Sequence, residues 1–597
     1  MPNLDLGVIG NGVVAALIDR RGRIVWQCLP RFDGDPVFCS LLNGENPEAG
    51  FADVELENLA DTQQAYLGNS AILVTTVTDS KGASVRVTDF CPRFKQFDRI
   101  YRPSMVVRRI EPLSGLPVIR LRIRPLSHYG RHRPQRTVGS NHIRYVAGEL
   151  VLRLTTDAPL SYLESESAFV LTGPLNLIFG PDETLPASIP HTVRDFQERS
   201  FDYWIEWTRY LSVPFEWQDA VIRAAITLKL CSFEDTGAIV AALTTSIPES
   251  AGTVRNWDYR ACWLRDAFHS VQTLNRLGAT RTMEDFLSYI TTVAARGING
   301  ELKPVYGILP EIPLDEVEDP TLLGYRGMGP VRIGNLAQQQ IQHDSYGSVI
   351  LAAAQMFFDR RLPKQGDLDL FMRLEKLGAK AVEKAFMPDA GIWEFRTRLE
   401  VHTHSVALCW AACDRLSKIA QVLGQTERAQ YWHGEAEAIR TRLLKEAWNE
   451  QTQSFVAVPG GKDVDASLLL LQELGLVSAS DPRFIATLER ITRELRHGDH
   501  LFRYAVADDF GLPKTSFIIC TFWYIDALAA SGRREEARKL FESVLARRNH
   551  LGLLSEDIDP VSGELWGNYP QTYSLVGLIL CAMRLSRSWE EAFWRGW

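Results

Sequence analysis

The run Phe517-Ile518-Ile519-Cys520-Thr521-Phe522-Trp523-Tyr524-Ile525 is apolar nearly all the way round a helix. A helix without a polar face must be buried on every side. The segment that follows reads differently. Ala537, Leu540, Phe541, Val544 and Leu545 form one stripe, with Arg and Glu opposite, as in a half-buried helix. This alternation recurs from about 216 onward, where the spacing predicts twelve helices: about 216–233, 262–278, 282–298, 343–360, 366–387, 402–423, 426–446, 463–475, 482–495, 514–531, 533–547 and 571–587. The sixth, eighth, tenth and twelfth are apolar nearly all round, and the seventh and eleventh are amphipathic. Odd helices outside and even helices inside make six antiparallel pairs, the arrangement of an (α/α)6 toroid. Even-to-odd connections are short, as at Gly424-Gln425 and Gly532, whereas odd-to-even connections are long: about 234–261, 299–342, 388–401, 447–462, 496–513 and 548–570. Long loops are usually functional or disordered. With antiparallel helices, all six fall on one rim and enclose a cleft.

Upstream, the period is that of strands. Ile119-Arg120-Leu121-Arg122-Ile123-Arg124 alternates apolar and charged residues, and Leu150, Leu152 and Leu154 repeat the pattern. Ala71–Val77 and Ser84–Thr88 are rich in β-branched residues, with Gly, Asn, Asp and Pro between the runs. The expected architecture is therefore multidomain β + α. An N-terminal antiparallel β-sandwich spans 1–188, a linker helix 189–215 and the helical toroid 216–597. The linker carries Phe196, Tyr203, Trp204 and Trp207 and is closed by Pro214.

Composition narrows the function classes. The 597 residues are 46% hydrophobic and 23% charged, with a formal net charge of −8 and no basic block. No nucleic-acid partner is expected, because such a protein carries a basic face. No apolar run approaches the roughly 18 residues of a membrane span, and the longest, Leu575–Met583, contains Gly577. The start, Met1–Gly7, lacks the basic and apolar regions of a secretory signal. Nine scattered cysteines without a CxxC pair suit free thiols, so a cytoplasmic protein is expected. No phosphate-cradling loop, HExxH or GxSxG occurs. His402 and His404, like His128 and His132, read as neutral hydrogen-bonded residues rather than metal ligands, and Cys409 and Cys413 as core.

Two rim loops carry carboxylates beside aromatic or apolar residues: Asp389-Ala390-Gly391-Ile392-Trp393-Glu394-Phe395-Arg396 and Leu553-Leu554-Ser555-Glu556-Asp557-Ile558-Asp559. Two carboxyl groups across a cleft are the machinery of glycoside hydrolysis. A neighbouring indole suits the face of a pyranose and helps keep a carboxylic acid protonated.

Val254-Arg255-Asn256-Trp257-Asp258-Tyr259-Arg260-Ala261-Cys262-Trp263-Leu264-Arg265-Asp266-Ala267 resembles the signature of glycoside hydrolase family 15, which holds glucoamylases and bacterial trehalase-like enzymes. Gly334-Asn335 to Gly347, Gly391–Glu394 with Arg396, Ser555–Asp557 and Gly567–Tyr573 resemble further blocks, in order. Val8-Ile9-Gly10, Ala15–Leu17 and Cys28–Asp33 are similar to the family's bacterial N-terminal domain. Ala261, His343 and Val25 depart from the common pattern without removing a carboxylate. The resemblance implies a sandwich joined to an (α/α)6 barrel and inverting removal of α-linked glucose from non-reducing ends. Glu394 would be the general acid, Glu556 the general base, and Arg265 with Asp266 the grip on glucose hydroxyls.

Trp263 and Trp393 are candidates for stacking on sugar. Trp566, Tyr569 and Gln571 lie close enough in sequence to Glu556 to line the same cleft. Asn256, Asp258, Asp344 and Arg396 contact substrate or fix loops; support is the favoured role, and Arg396 is kept in the substrate-binding set. Acid–base hydrolysis needs no metal or organic cofactor. The first expectation is an exo-α-glucosidase acting on α-linked gluco-oligosaccharides. The alternative is α,α-trehalase on the same scaffold, and a catalytically silent sugar-binding protein comes third. The partner expected is a small-molecule or oligosaccharide substrate, and an exposed face of the β half would suit a homodimer.

Overall fold

The computed structural model describes residues 2–296 and 301–595. Two antiparallel sheets form the N-terminal part. One runs in the order Gly7–Gly10, Ala15–Ile18, Ile24–Leu29, Phe51–Leu56, Val118–Arg124, Phe169–Val170, with Asp35–Phe38 also paired to Ile24–Leu29. The other runs Gln135–Val138, His142–Ala147, Leu150–Thr156, Leu175–Pro181, Val106–Ser114, Ser84–Phe90, Leu73–Asp79, Leu59–Tyr66. The alternation in Val118–Arg124 has its expected use. Ile119 and Leu121 are buried, while Arg122, directly opposite Asp53 on the neighbouring strand, holds that carboxylate through two hydrogen bonds of 3.0 and 2.7 Å. Such cross-strand pairs are the unit of sheet stabilisation. The helix Ile189–Arg209 lies on this part, with Phe196 against Phe94 and Tyr101.

Among the described residues the barrel has twelve helices. The first six are α1 (Gln218–Leu230), α2 (Ala267–Arg276), α3 (Thr280–Arg296), α4 (Asp344–Phe358), α5 (Leu368–Lys384) and α6 (Thr403–Val422). The remainder are α7 (Thr426–Glu446), α8 (Ala466–Glu473), α9 (Pro482–Leu495), α10 (Ile518–Ala530), α11 (Arg534–Ala546) and α12 (Thr572–Leu585). Residues 297–298 of the third expected helix lie outside the described residues. The even helices pack each on the next, and α12 returns to α2, so the inner ring closes. Ile518–Ile525 of α10 are all buried, whereas α5 buries one stripe of Phe371, Leu374, Leu377, Gly378 and Ala381. Gly347 lets α4 and α6 touch, because a Cβ there would stand 2.3 Å from the carbonyl oxygen of Leu408.

Three helices begin later than their hydrophobic pattern predicts, each because the backbone pairs elsewhere. Cys262–Trp263 forms a short ladder with Val305–Tyr306, so α2 starts at Ala267. Ser516–Phe517 pairs with Asp557–Ile558 and delays α10. Asp465 bridges to Tyr504, leaving α8 a 3₁₀ turn followed by a single α turn. All nine cysteines are buried and unbridged. Among the described residues no helix is long and apolar enough to cross a membrane.

The sandwich docks on the rim loops and on α1, whose Arg223 donates to the carbonyl of Ser70 at 3.0 Å. Trp26 donates its indole N–H to the carbonyl of Leu243 at 2.8 Å. Arg260 reaches the Gly34 carbonyl at 3.1 Å and the Tyr129 hydroxyl at 2.8 Å, while its own partner is Asp258 at 2.9 and 2.7 Å. Removing one member of a buried ion pair strands the other, at about 3–5 kcal/mol. Arg260→Met is therefore expected to destabilise the chain by about that amount in denaturant unfolding; a loss below about 1 kcal/mol, the range of exposed pairs, would show that the pair is solvated.

Candidate active site

The delayed starts of α2 and α10 place chain, not helix, at the mouth of the barrel. Segment 262–266 leaves its ladder at Trp263, turns at 264–266 into α2 and so delivers Trp263, Arg265 and Asp266. A three-stranded ribbon of Ser516–Phe517, Asp557–Ile558 and Leu565–Trp566 fixes the residue before it, Glu556. The backbone of Glu556 is pinned on both sides: its N–H donates to Asn568 at 3.1 Å and its carbonyl accepts from Ile518 at 2.9 Å.

The loop bearing Glu394 is held from beneath. Asp389 accepts from the backbone N–H of Gly391 (3.2 Å) and His343 (2.7 Å) and from the Ser405 hydroxyl (2.8 Å). Gln340 donates to the carbonyl of Glu394 at 3.0 Å. Glu394 itself sits at φ +59°, a left-handed conformation that costs a non-glycine residue of order 1–3 kcal/mol and persists only where neighbours impose it.

The cleft is lined by residues from four of the six long loops, 234–261, 299–342, 388–401 and 496–513, and by the chain entering α2, α10 and α12. The loop 447–462 contributes nothing to it and lines a neighbouring cavity instead. In the cleft Trp263 donates its indole N–H to Glu394 Oε1 at 2.6 Å, and Arg265 Nη1 reaches the same oxygen at 3.2 Å. Arg265 also holds the carbonyl of Ile392 at 2.9 Å and flanks Asp266. Across the cleft, the Tyr259 hydroxyl donates to Glu556 Oε1 at 2.6 Å and the N–H of Asn568 to Oε2 at 3.2 Å. The rings of Tyr259 and Trp263 touch edge to face, with centroids 5.2 Å apart. The two carboxyl groups thus hang from adjacent rings rather than from each other.

Their surroundings differ. Glu394 opens to the cleft, with its side chain 23% exposed. Glu556 is almost wholly buried, and burial, with the charges of Asp557 and Glu249, pushes its carboxyl well above the usual range. Burial also lifts Asp557 to about 7, against the pull of Arg503, whose guanidinium bridges Glu249 at 3.0 Å and Asp557 at 3.3 Å. Behind Glu394, burial raises Asp344 to about 6, and burial plus Asp344 raises Asp389 to about 7. Burial keeps His402 near 4 and His404 near 3, both uncharged at neutral pH.

Of the residues singled out in the sequence, Trp263, Arg265, Asp266, Trp393, Glu394, Arg396 and Gln571 line the cleft. Trp393 gives its indole N–H to Asp465 at 2.8 Å and packs on Tyr504 and Trp523. Gln571 also caps α12, its Oε1 accepting from Ser574 N at 2.7 Å. Glu556 lies just behind the wall, at Tyr259. Trp566 and Tyr569 are not among the lining residues, contrary to expectation. Trp566 packs on Tyr325 with Arg326 over its ring, and the Tyr569 hydroxyl turns outward to Leu6 and Asn549. Proximity in sequence misled here, because neighbouring residues on the ribbon point to opposite faces. Sequence reasoning also missed Tyr259, Glu249, Arg503, Tyr504 and Phe510. Tyr259 stood inside a recognised block, but nothing local links Glu249 to Arg503, 254 positions away.

An acidic cleft with two separated carboxyl groups, indoles and a guanidinium is the equipment of a glycosidase. The sequence profile for Glycosyl hydrolases family 15 matches residues 217–583, and one described as Trehalase-like, N-terminal matches residues 4–154. The chain belongs to glycosyl hydrolase family 15, and it is a glycoside hydrolase acting on O-glycosyl bonds. A trehalase of Thermoplasma volcanium is 34% identical, with 98% of this chain and 93% of that one covered. One of Mycolicibacterium smegmatis is 31% identical over 99% and 92%. A bacterial glucoamylase complexed with acarbose shares the fold, with a TM-score of 0.66 at 14% identity, covering 97% and 93% of the two chains.

Gly567 (φ +73°) lies so close that a Cβ would stand 2.6 Å from that of Glu556. Gly567→Ala is expected to cut kcat at least tenfold with an unchanged circular dichroism spectrum; full turnover would show that the placement of Glu556 is not critical.

Proposed function

We propose that the protein is an inverting α,α-trehalase, with Glu394 as general acid and Glu556 as general base. The observation that carries this is the similarity of nearly the whole chain, sandwich included, to trehalases from archaea and bacteria. The exo-α-glucosidase reading, expected first from the family's motifs, has beside it only a likeness of fold to a bacterial glucoamylase and becomes the alternative.

The geometry supports such a reaction. One glucose of trehalose occupies the floor by Arg265 and Asp266, which hydrogen-bond its hydroxyls. Glu394 protonates the bridging oxygen, and Trp263 and Arg265 hold the carboxylate left behind. Glu556, oriented by Tyr259, takes a proton from a water that attacks the anomeric carbon from the opposite face. Such attack on one ring of an α,α-linked pair releases one β-glucose and one α-glucose.

Glu394→Gln is expected to lower kcat between about a hundredfold and ten-thousandfold, with unfolding unchanged; wild-type turnover would remove Glu394 from the acid role. With trehalose, NMR should show equal α- and β-glucose at the earliest times. Two α-glucoses would mean retention. Release from maltose or isomaltose but not from trehalose would return the assignment to the α-glucosidase.

A base must be ionised, so kcat/KM should fall as pH drops through the raised pKa of Glu556. Its acidic limb should lie above the ordinary carboxylate range. Glu249→Gln removes a like charge, lowers that pKa and should move the limb to lower pH. A limb that stays fixed would exclude Glu556 as the titrating base.

A further inference from the structure

The outer end of the cleft is formed by parts of three loops to which the reaction above assigns no step. Exposure rises from Trp263 on the floor, 3% exposed, to exposed Ala505, Ala507 and Gly511 on the outer side of the loop Tyr504–Gly511. The tip of this loop is fastened on two sides. On one, Arg255 donates to the carboxylate of Asp508 and, at 2.9 Å, to the carbonyl of Gly511. Tyr504 also donates to Asp508, closing the loop on itself. On the other side, Asp509 accepts from the backbone N–H of Arg396 at 2.6 Å and from the hydroxyl of Thr397.

Between the two fastenings stands Phe510. Its ring meets that of Trp257 at 5.1 Å and 67°. The Arg396 guanidinium lies 4.6 Å from the Trp257 centroid and 5.6 Å from that of Phe510. Arg396 cannot swing away freely, because Glu316 grips it with both oxygens at 3.0 and 2.9 Å. Bidentate arginine–carboxylate pairs fix direction as well as distance. A charge-pinned, aromatic stack therefore walls the cleft where the leaving group of the substrate must sit.

We propose that the fastened loop Tyr504–Gly511, with Phe510 wedged against Trp257 and Arg396, is the specificity-determining wall that limits the leaving group to a single sugar. This rests on the reading of the cleft as a glycosidase site with the reacting bond at Glu394. The polar edge of the wall is Arg396, which lines the cleft and whose direction Glu316 fixes from behind. A longer leaving group would have to displace Phe510 and break one of the two fastenings. The wall makes no direct bond to the first glucose, so it acts on length and not on the reacting ring.

The test compares trehalose with the trisaccharide made by adding one α-1,4-linked glucose to it, in the wild type, Phe510→Ala and Asp509→Ala. Asp509→Ala frees the loop from Thr397 and from the Arg396 backbone while keeping both aromatic rings, which guards against a Phe510 variant that folds poorly. Thermal unfolding is recorded for each. The wild type is expected to favour trehalose by at least tenfold in kcat/KM, and both variants to shrink that preference at least tenfold. A merely structural role would lower both substrates by the same factor. An unchanged ratio in both variants, or a wild type that cleaves the trisaccharide as well as trehalose, overturns the proposal. If no variant and no wild type acts on trehalose, the trehalase reading falls; the wall is then read from maltose against maltopentaose with the same expected ratios.

Discussion

The ion pair between Arg260 and Asp258 is the joint on which the rest of the molecule turns. It lies at the seam between sandwich and barrel, with the two side chains 2% and 8% exposed. Arg260 ties outward to Gly34 and Tyr129, and Asp258 ties inward to the backbone N–H of Gly334 at 3.1 Å. The residue between them is Tyr259, whose hydroxyl orients Glu556. A charge pair that is costly to bury is thus kept where it locks three loops and one catalytic partner together. The sandwich, which supplies no lining residue, braces the rim.

The interior around the reacting groups carries an unusual density of acid. Asp266, Asp344, Asp389, Asp557 and Glu556 are all held above their ordinary range, burial being the first cause in each. Their counter-charges are few and shared: Arg265 on the side of Glu394, Arg503 on the side of Glu556. Each arginine touches more than one carboxyl, so a proton gained at one acid changes the field at the others. Glu394 and Glu556 sit in two electrostatic compartments, separated by the touching rings of Tyr259 and Trp263.

Much of this was legible in the chain. Ile518–Ile525 against the single stripe of α11 marked inner and outer helices, and the loop lengths marked the rim. Glu394, Arg265, Asp266 and Trp263 were found because they occupy recognisable blocks, and the alternation at Ile119–Arg124 gave a sandwich strand directly. The failures share a cause, contacts between residues far apart in the sequence. Asp465 has a helical neighbourhood but bridges to Tyr504, which reduces α8 to little more than two turns. Tyr569 follows Glu556 closely in sequence, yet its hydroxyl serves the N-terminal strand region. Glu249 and Arg503 are ordinary loop residues until the fold sets them 3.0 Å apart. No periodicity encodes such meetings.

The closure of the inner ring also bears on how the protein is made. α12 is the last of the twelve barrel helices to leave the ribosome, yet it packs against α1 and α2, among the first of them. Until it arrives, the apolar sides of α2 and α10 that it covers have no neighbour. The carbonyls of Leu4 and Leu6 wait equally for Asn549, 545 and 543 positions downstream. Contacts of such sequence separation form slowly and leave apolar surface open to aggregation. Synthesis therefore runs through a long stage in which the sandwich can be complete while the barrel is an open crescent. Quality control in the cell must tolerate that crescent for as long as the final helix takes to be translated.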